Sequence, residues 1–296
     1  MTTTAQAGRA DREMRGLRKS VSRALGDAFA YTFLIVVGVI ILVPVAWMLS
    51  TAVKSDGNVY PFPPQWIPIP PHWENFTRAF RAVPFGRFFL NTVVITLTGI
   101  TGALISCPLV AYAFARLRCR AKNVLFVMVL ATMMLPGQVT MVPLYILYRR
   151  LNWIGTFAPL VVPTFLGNAY YIFLLRQFFS TIPRPLDDAA TIDGCGYIGR
   201  FTRIILPLSK PALATVAIFS FMHHWNDFMT PMIYLSSSRT RWTMTMGLNG
   251  FRGAYGGTQW NMLMAASLVS VIPPLLLFFF AQRFFIQGIV ITGVKG

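Results

Sequence analysis

The sequence predicts an all-α fold, a polytopic membrane protein with six transmembrane helices and a long helical loop on the cytoplasmic surface between helices four and five. Three observations lead there. Hydrophobic residues make up 55% of the 296-residue chain and charged residues only 12%, about half the charged share of a soluble domain. Five stretches carry no charge, residues 28–53, 88–115, 123–148, 151–175 and 253–282, and each exceeds the ~20 apolar residues that a spanning helix needs. They are too long for strands and lack the alternation of an outer-membrane barrel.

The same composition excludes other classes. The net charge is 26 − 9 = +17, which by itself suggests nucleic acid or an anionic surface, but no basic, aromatic-bearing soluble module exists to bind nucleic acid. Disorder is excluded by 25 Phe, 14 Met and 7 Trp, which supply ample surface to bury. Cys107, Cys119 and Cys195 fit no disulfide or metal spacing. No HExxH zinc motif is present, and none of the five lysines follows a glycine, so there is no P-loop. Any nucleotide chemistry belongs to another chain.

In chain order, residues 1–27 form a basic tail with six Lys and Arg. The first span, about 28–51, is longer than a signal-peptide core and no small-x-small cleavage site follows, so it is read as a retained helix. Residues 52–86 form an external loop whose Pro-rich, aromatic part (PFPPQWIPIPPHW) predicts ordered irregular or polyproline-like backbone, either a cover or a docking surface for an outside partner. Further spans are expected at about 88–114, 123–147, 154–175, 211–235 and 260–282, within a permease-sized domain of 28–285, and 286–296 form a tail. Four basic residues in seven, Arg116 to Lys122, and the basic amino-terminal tail place both termini in the cytoplasm by the positive-inside rule.

The cytoplasmic loop, about 177–210, reads STIPRPLDDAATIDGCGYIGRFTRIILPLSKP from Ser180. Pro185 suits a helix start, and Asp187 and Asp188 favour its positive amino-terminal end. Ala189 and Ala190 leave a thin helix surface, and Gly194 supplies the turn that stops it. A second amphipathic helix is expected from Tyr197 to Leu206, ended by Pro207, with Pro211 opening the next span. On composition alone this could be an ordinary connection. Its spacing, however, is Asp188-Ala189-Ala190, three residues, Gly194, nine residues, Ile204-x-Leu206-Pro207. This resembles the EAA loop of the permease subunits of bacterial ABC importers, with Asp188 where the family has Glu. The resemblance extends to Trp225-Asn226-Asp227-Phe228 with Pro231, to Pro143-Leu144-Tyr145, to Phe173-Leu174-Leu175-Arg176-Gln177-Phe178-Phe179 and to the carboxyl-terminal Gln282-Arg283-Phe284-Phe285 region. It covers the chain from about residue 28 onward and is narrowest for carbohydrate importers of the maltose-permease G type, binding-protein-dependent inner-membrane components.

The resemblance implies a function. The loop is the coupling helix, which docks on a separate ATPase subunit dimer that holds ATP and Mg. The chain itself is no enzyme and binds no cofactor, and it pairs with a second permease subunit as a heterodimer. An extracytoplasmic binding protein delivers the sugar substrate, in the bacterial inner membrane. Asp187, Asp188, Ala189, Ala190, Asp193, Gly194, Ile204, Leu206 and Pro207 are the coupling residues it implies.

Inside the membrane, Asp227 is the one carboxylate in an expected span, and such a charge is costly enough to suggest a task. His223 lies four residues before it and can share its face. Trp225 offers a flat apolar face and Asn226 an amide, a combination suited to sugars. These four residues are the candidate lining of a translocation path, with interhelical bonding as the competing structural reading. A self-sufficient secondary transporter using His223 and Asp227 for proton coupling is the alternative function. An intramembrane enzyme would need paired catalytic groups that the inventory lacks.

Overall fold

The computed structural model describes residues 3–252 and 257–293, with side chains described for 25–252 and 257–282. The expected carboxyl-terminal tail falls partly outside these residues, at 294–296. All regular structure among the described residues is helical. The helices are α1 (Thr3–Ala52), α2 (Glu74–Ala82), α3 (Phe85–Arg116), α4 (Lys122–Met133), α5 (Gly137–Arg150), α6 (Ala158–Val161), α7 (Ala169–Thr181), α8 (Pro185–Ile192), α9 (Tyr197–Leu208), α10 (Lys210–Asn226), α11 (Met229–Leu235), α12 (Met244–Asn249) and α13 (Trp260–Gly293).

Four stretches are long and apolar enough to cross a membrane, and two bent helix pairs bring the number to as many as six. Some of the expected spans are interrupted by bends or breaks. Where the third span is expected, α4 and α5 meet at 96°. Pro136 has no N–H to continue α4 and drives Leu135 away from helical dihedrals. It caps α5 with an extended ψ of 133°. Span four is interrupted at Gly167, whose φ of 95° belongs to glycine, and Asn168 restarts the helix by accepting hydrogen bonds from the N–H groups of Tyr170 and Tyr171. Span five breaks at Asp227 between α10 and α11.

A further correction concerns Pro207. It does not end α9, which continues to Leu208. The turn before it, Phe201–Ile205, is a wide π-helical one, which opens the backbone where the proline ring would otherwise crowd the preceding turn. α9 and α10 then meet at 78°.

α3 is the central post and packs against α7 and α10. Three apolar clusters surround it. One, with Cys107, Tyr112, Leu175, Phe179, Phe201, Ile205 and Val216, binds α3, α7, α9 and α10. A second gathers Phe85, Phe88, Trp225, Met244 and Met262, and a third Ile95, Tyr148, Leu160 and Tyr234. α1 packs against α13 and leaves its apolar side chains exposed from Phe29 to Leu49, as a lipid-facing helix does.

The loop after α1 also contains regular structure, since α2 occupies Glu74–Ala82. Its signal was legible as Phe76, Ala79, Phe80 and Val83 at helical spacing. A polar staple holds α2 to the ends of α1 and α13. Asn75 donates to the carbonyls of Ala52 and Lys54 at 3.0 and 2.8 Å. Asn261 donates to Lys54 and to the Asp56 carboxylate at 3.3 and 2.6 Å. Arg78 pairs with Asp56 at 2.8 Å. Lys54 is wholly buried with its ammonium 4.0 Å above the Trp47 ring, and burial pushes its pKa down.

Candidate functional site

The two breaks in spans four and five face one another, and a cavity of about 280 Å³ lies between them, bounded by α3, α6, α7, α10 and α11. Its size is at the lower end of the roughly 300–1,000 Å³ of small-molecule pockets. The polar lining comprises Thr164, Asn168, Tyr171, Ser220, His223, His224, Asp227 and Thr230. Asp227 is the one carboxylate among them. Broken helices with polar groups at the break are how membrane proteins present binding groups at depth, because irregular backbone is tolerated only where protein or a cavity covers it.

Local geometry gives each group its place. The Asp227 carboxylate accepts from the N–H of Thr230 at 3.1 Å, capping the first turn of α11, and the Asp227 carbonyl accepts from the Thr245 hydroxyl at 2.7 Å. His224 donates from Nδ1 to the Ser220 carbonyl at 2.7 Å. Its ring lies against Gly99 of α3, where any Cβ would collide with it. Gly102, one turn on, leaves the same kind of room for Thr164 and Phe165. Small residues thus let α3 approach its neighbours closely.

Of the four residues expected along a path, His223 and Asp227 line this cavity. Trp225 is buried elsewhere. It packs edge-on to Phe89 and stacks on Phe221, and its indole N–H donates to the Ser270 carbonyl at 3.1 Å. Asn226 is exposed, donates back to Met222 and is not part of the lining. Helical rotation accounts for Trp225, which lies nearly opposite 223 on a 3.6-residue turn. The contributions of Thr164, Asn168, Tyr171 and Gly99 were missed. The Gly167-Asn168 pair inside an apolar run was the signal available for the first three.

The loop expected at about 177–210 is the second candidate region. α8 starts with Pro185, carries Asp187 and Asp188 in its first turn, and ends in a Schellman motif. The Cys195 N–H bonds to the Ala190 carbonyl at 2.8 Å and the Gly194 N–H to the Thr191 carbonyl at 3.1 Å. Gly194 has φ 76° and open space around it. The two acids part company. Asp187 turns inward to Arg116 at the end of α3, 3.0 Å away, with side chains 15% and 5% exposed. Asp188, Ala189, Asp193 and Gly194 are exposed, whereas Ala190 is buried. Beyond the turn, Ile204 and Leu206 are half-buried, Leu206 against the α3–α7 cluster, and Pro207 is exposed. Ile205 between them is the fully buried anchor. The outer face of the loop shows Leu186, Ile192, Tyr197 and Ile198, with Ile192 87% exposed.

Comparison with known proteins identifies the family and the fold. Residues 105–291 match the sequence model of the family described as binding-protein-dependent transport system inner membrane component. The chain is similar to the probable ABC transporter permease protein YurM of Bacillus subtilis, 34% identical over 92% of this chain and 90% of that one. It is similar to the sn-glycerol-3-phosphate transport system permease protein UgpE of Yersinia pestis, 33% identical over 89% and 96%. It also resembles the arabinooligosaccharides transport system permease protein AraQ of Halalkalibacterium halodurans, 32% identical over 92% and 95%. Its fold is similar to a chain of a bacterial ABC transporter involved in import of the acidic polysaccharide alginate, with TM-score 0.78 and 22% identity, covering 89% of this chain and 97% of that one.

Proposed function

Because this chain belongs to the family of inner-membrane components of binding-protein-dependent transport systems, we propose that it forms half of the translocation path of an ATP-driven sugar importer, with the 177–210 loop as its coupling element. The observation that carries this reading is the build of that loop. Its roots are held by a buried ion pair and a Schellman turn, while its outer face leaves Leu186, Ile192, Tyr197 and Ile198 exposed. Apolar side chains held out on a rigid short helix suit a groove on a partner.

In this scheme a second permease subunit completes the path, and a dimer of ATPase subunits holds ATP and Mg. A binding protein delivers the solute on the outside, and both termini lie in the cytoplasm. Closure of the ATPase dimer moves α8. Asp187 passes the movement to Arg116, which belongs to α3 and also holds the Phe179 and Ile182 carbonyls at the end of α7. Both helices wall the cavity, so displacement of the loop reshapes it. Asp188, one position on and exposed, is free to pair with the ATPase.

The cavity favours an uncharged, hydroxyl-rich solute. Its lining carries hydroxyls, an amide and imidazoles, with one carboxylate and neither Lys nor Arg. A phosphate or uronate would meet Asp227 without a compensating cation. The test is gentle purification with whatever accompanies the chain, followed by ATPase assays across a sugar panel with the binding protein. Stimulation by a neutral sugar supports the reading, and recovery as a functional monomer without an ATPase overturns it.

A further inference from the structure

We propose that the proline-rich segment between Asp56 and Glu74 is a lipid anchor, seated in the outer interface of the bilayer beside α1. The inference rests on the chain spanning a membrane and not on what it carries. Both ends of the segment are pinned to the span. The His72 N–H bonds to the Val53 carbonyl at 2.8 Å, and Asn75 and Arg78 hold Ala52, Lys54 and Asp56. Between these points the loop folds back along the helices. The Trp66 ring meets the Trp47 ring edge-on at 5.0 Å, and Trp47 lies five residues before the end of α1, about 7 Å below it at 1.5 Å per residue. Tyr60 meets Trp260, the first residue of α13, at 6.2 Å. The loop therefore sits at the depth where the spans end.

Its chemistry suits that depth. Residues 57–73 contain no Asp, Glu, Lys or Arg. Tyr60, Phe62, Trp66, Ile67, Ile69 and Trp73 are exposed, Phe62 by 97% and Ile69 by 83%. Val45 and Leu49, on either side of Trp47, are exposed too, so the apolar surface passes from the helix into the loop. Pro61, Pro63, Pro64, Pro68, Pro70 and Pro71 have no N–H. Six prolines among seventeen residues lower the number of N–H groups that must be satisfied, and the carbonyls stay hydrated at the level of the headgroups. Amphipathic Tyr and Trp rings are the side chains that settle at the headgroup level. A surface for a water-soluble partner would be expected to carry a polar rim, and the one basic side chain in 57–73 is His72, at the end of the segment and turned to Glu74 at 3.3 Å.

The test places nitroxide labels at Phe62→Cys, Ile67→Cys and Ile69→Cys in the purified assembly in nanodiscs, with Cys107, Cys119 and Cys195 replaced by Ala. Power saturation then compares collisions with oxygen, which partitions into lipid, and with a water-soluble nickel chelate. A lipid anchor gives greater oxygen than nickel access at all three sites, unchanged by adding the binding protein. Nickel access that is lost on adding the binding protein overturns the proposal in favour of a docking surface. Shielding from both reagents overturns it in favour of cover by the second permease subunit. The protein with native cysteines gives an independent reading in bilayers of lipid brominated near the headgroup. Trp66→Phe and Trp73→Phe should each remove part of the quenchable fluorescence, and no change from either counts against the anchor.

Discussion

Arg116 and Asp187 stand 71 residues apart in the chain and meet at 3.0 Å where α3 reaches α8. The guanidinium also binds the Phe179 and Ile182 carbonyls, each at 2.6 Å. One side chain thus closes the carboxyl-terminal end of α7, terminates α3 and holds α8. Its position makes it the mechanical joint between the loop and the helices around the cavity.

Breaking a buried pair leaves an uncompensated charge, at a cost of about 3–5 kcal/mol. Asp187→Asn and Arg116→Ala should therefore lower the unfolding temperature in detergent and abolish uptake. Asp188→Asn, at an exposed position, should leave the unfolding temperature unchanged while reducing co-purification of the ATPase. Equal thermal losses at 187 and 188 would refute this division of labour.

Gly194 occupies the left-handed region, where a side chain costs roughly 1–2 kcal/mol. No neighbour obstructs a Cβ there, so the effect is on backbone conformation alone. Gly194→Val should insert normally and lose transport, and Gly194→Asn should retain most of it, because Asn tolerates that conformation. Uptake rates of the two variants at equal membrane abundance decide the matter.

Gly99 provides the room for the His224 ring. Gly99→Val should force the imidazole into the cavity at a strain of about 1–3 kcal/mol. The expected result is an assembled complex whose ATPase responds to the binding protein but whose uptake falls at least tenfold. Unchanged uptake would show that this cavity is not on the path.

Asp227 caps α11 and also lines the cavity. Asp227→Ala should cost ~1 kcal/mol through the lost cap. Asp227→Asn keeps an oxygen acceptor and removes the charge. If the carboxylate serves the solute, Asn should restore thermal stability and leave uptake impaired. Full uptake by Asp227→Asn would reduce the carboxylate to its capping role.

Beyond the end of α1, the bonds from Arg78 and Asn261 hold the Asp56 carboxyl below its ordinary range. A group depressed in the folded state contributes its stability above the unfolded pKa of roughly 4 and loses it as pH falls through the folded value. Protease sensitivity of the 57–73 loop should therefore rise below pH 4 and stay flat above pH 5. Asp56→Asn should remove that pH dependence.

The spans were legible because runs such as 88–115 contain no charge, and solvation energy makes that pattern hard to explain otherwise. The short helix of the 177–210 loop was legible because Pro185, Asp187, Asp188 and Gly194 each obey a local rule of helix termination or capping. The breaks were less so. Pro136 and Gly167 signal them, but an apolar run reads as continuous when only its hydropathy is counted. The Arg116–Asp187 pair lay beyond reach, since no local rule links residues so far apart. Trp225 adjoins the path candidates in sequence, but rotation around the helix turns it to the opposite face, against Phe89 and Phe221.

The most direct test is uptake into proteoliposomes holding the purified assembly. ATP should be sealed on the ATPase side, the binding protein and a neutral sugar added on the other, and the proton gradient collapsed. Accumulation that requires ATP and the binding protein and ignores the collapsed gradient is the predicted result. Uptake by the chain without an ATPase subunit, driven by a proton gradient, would contradict the account.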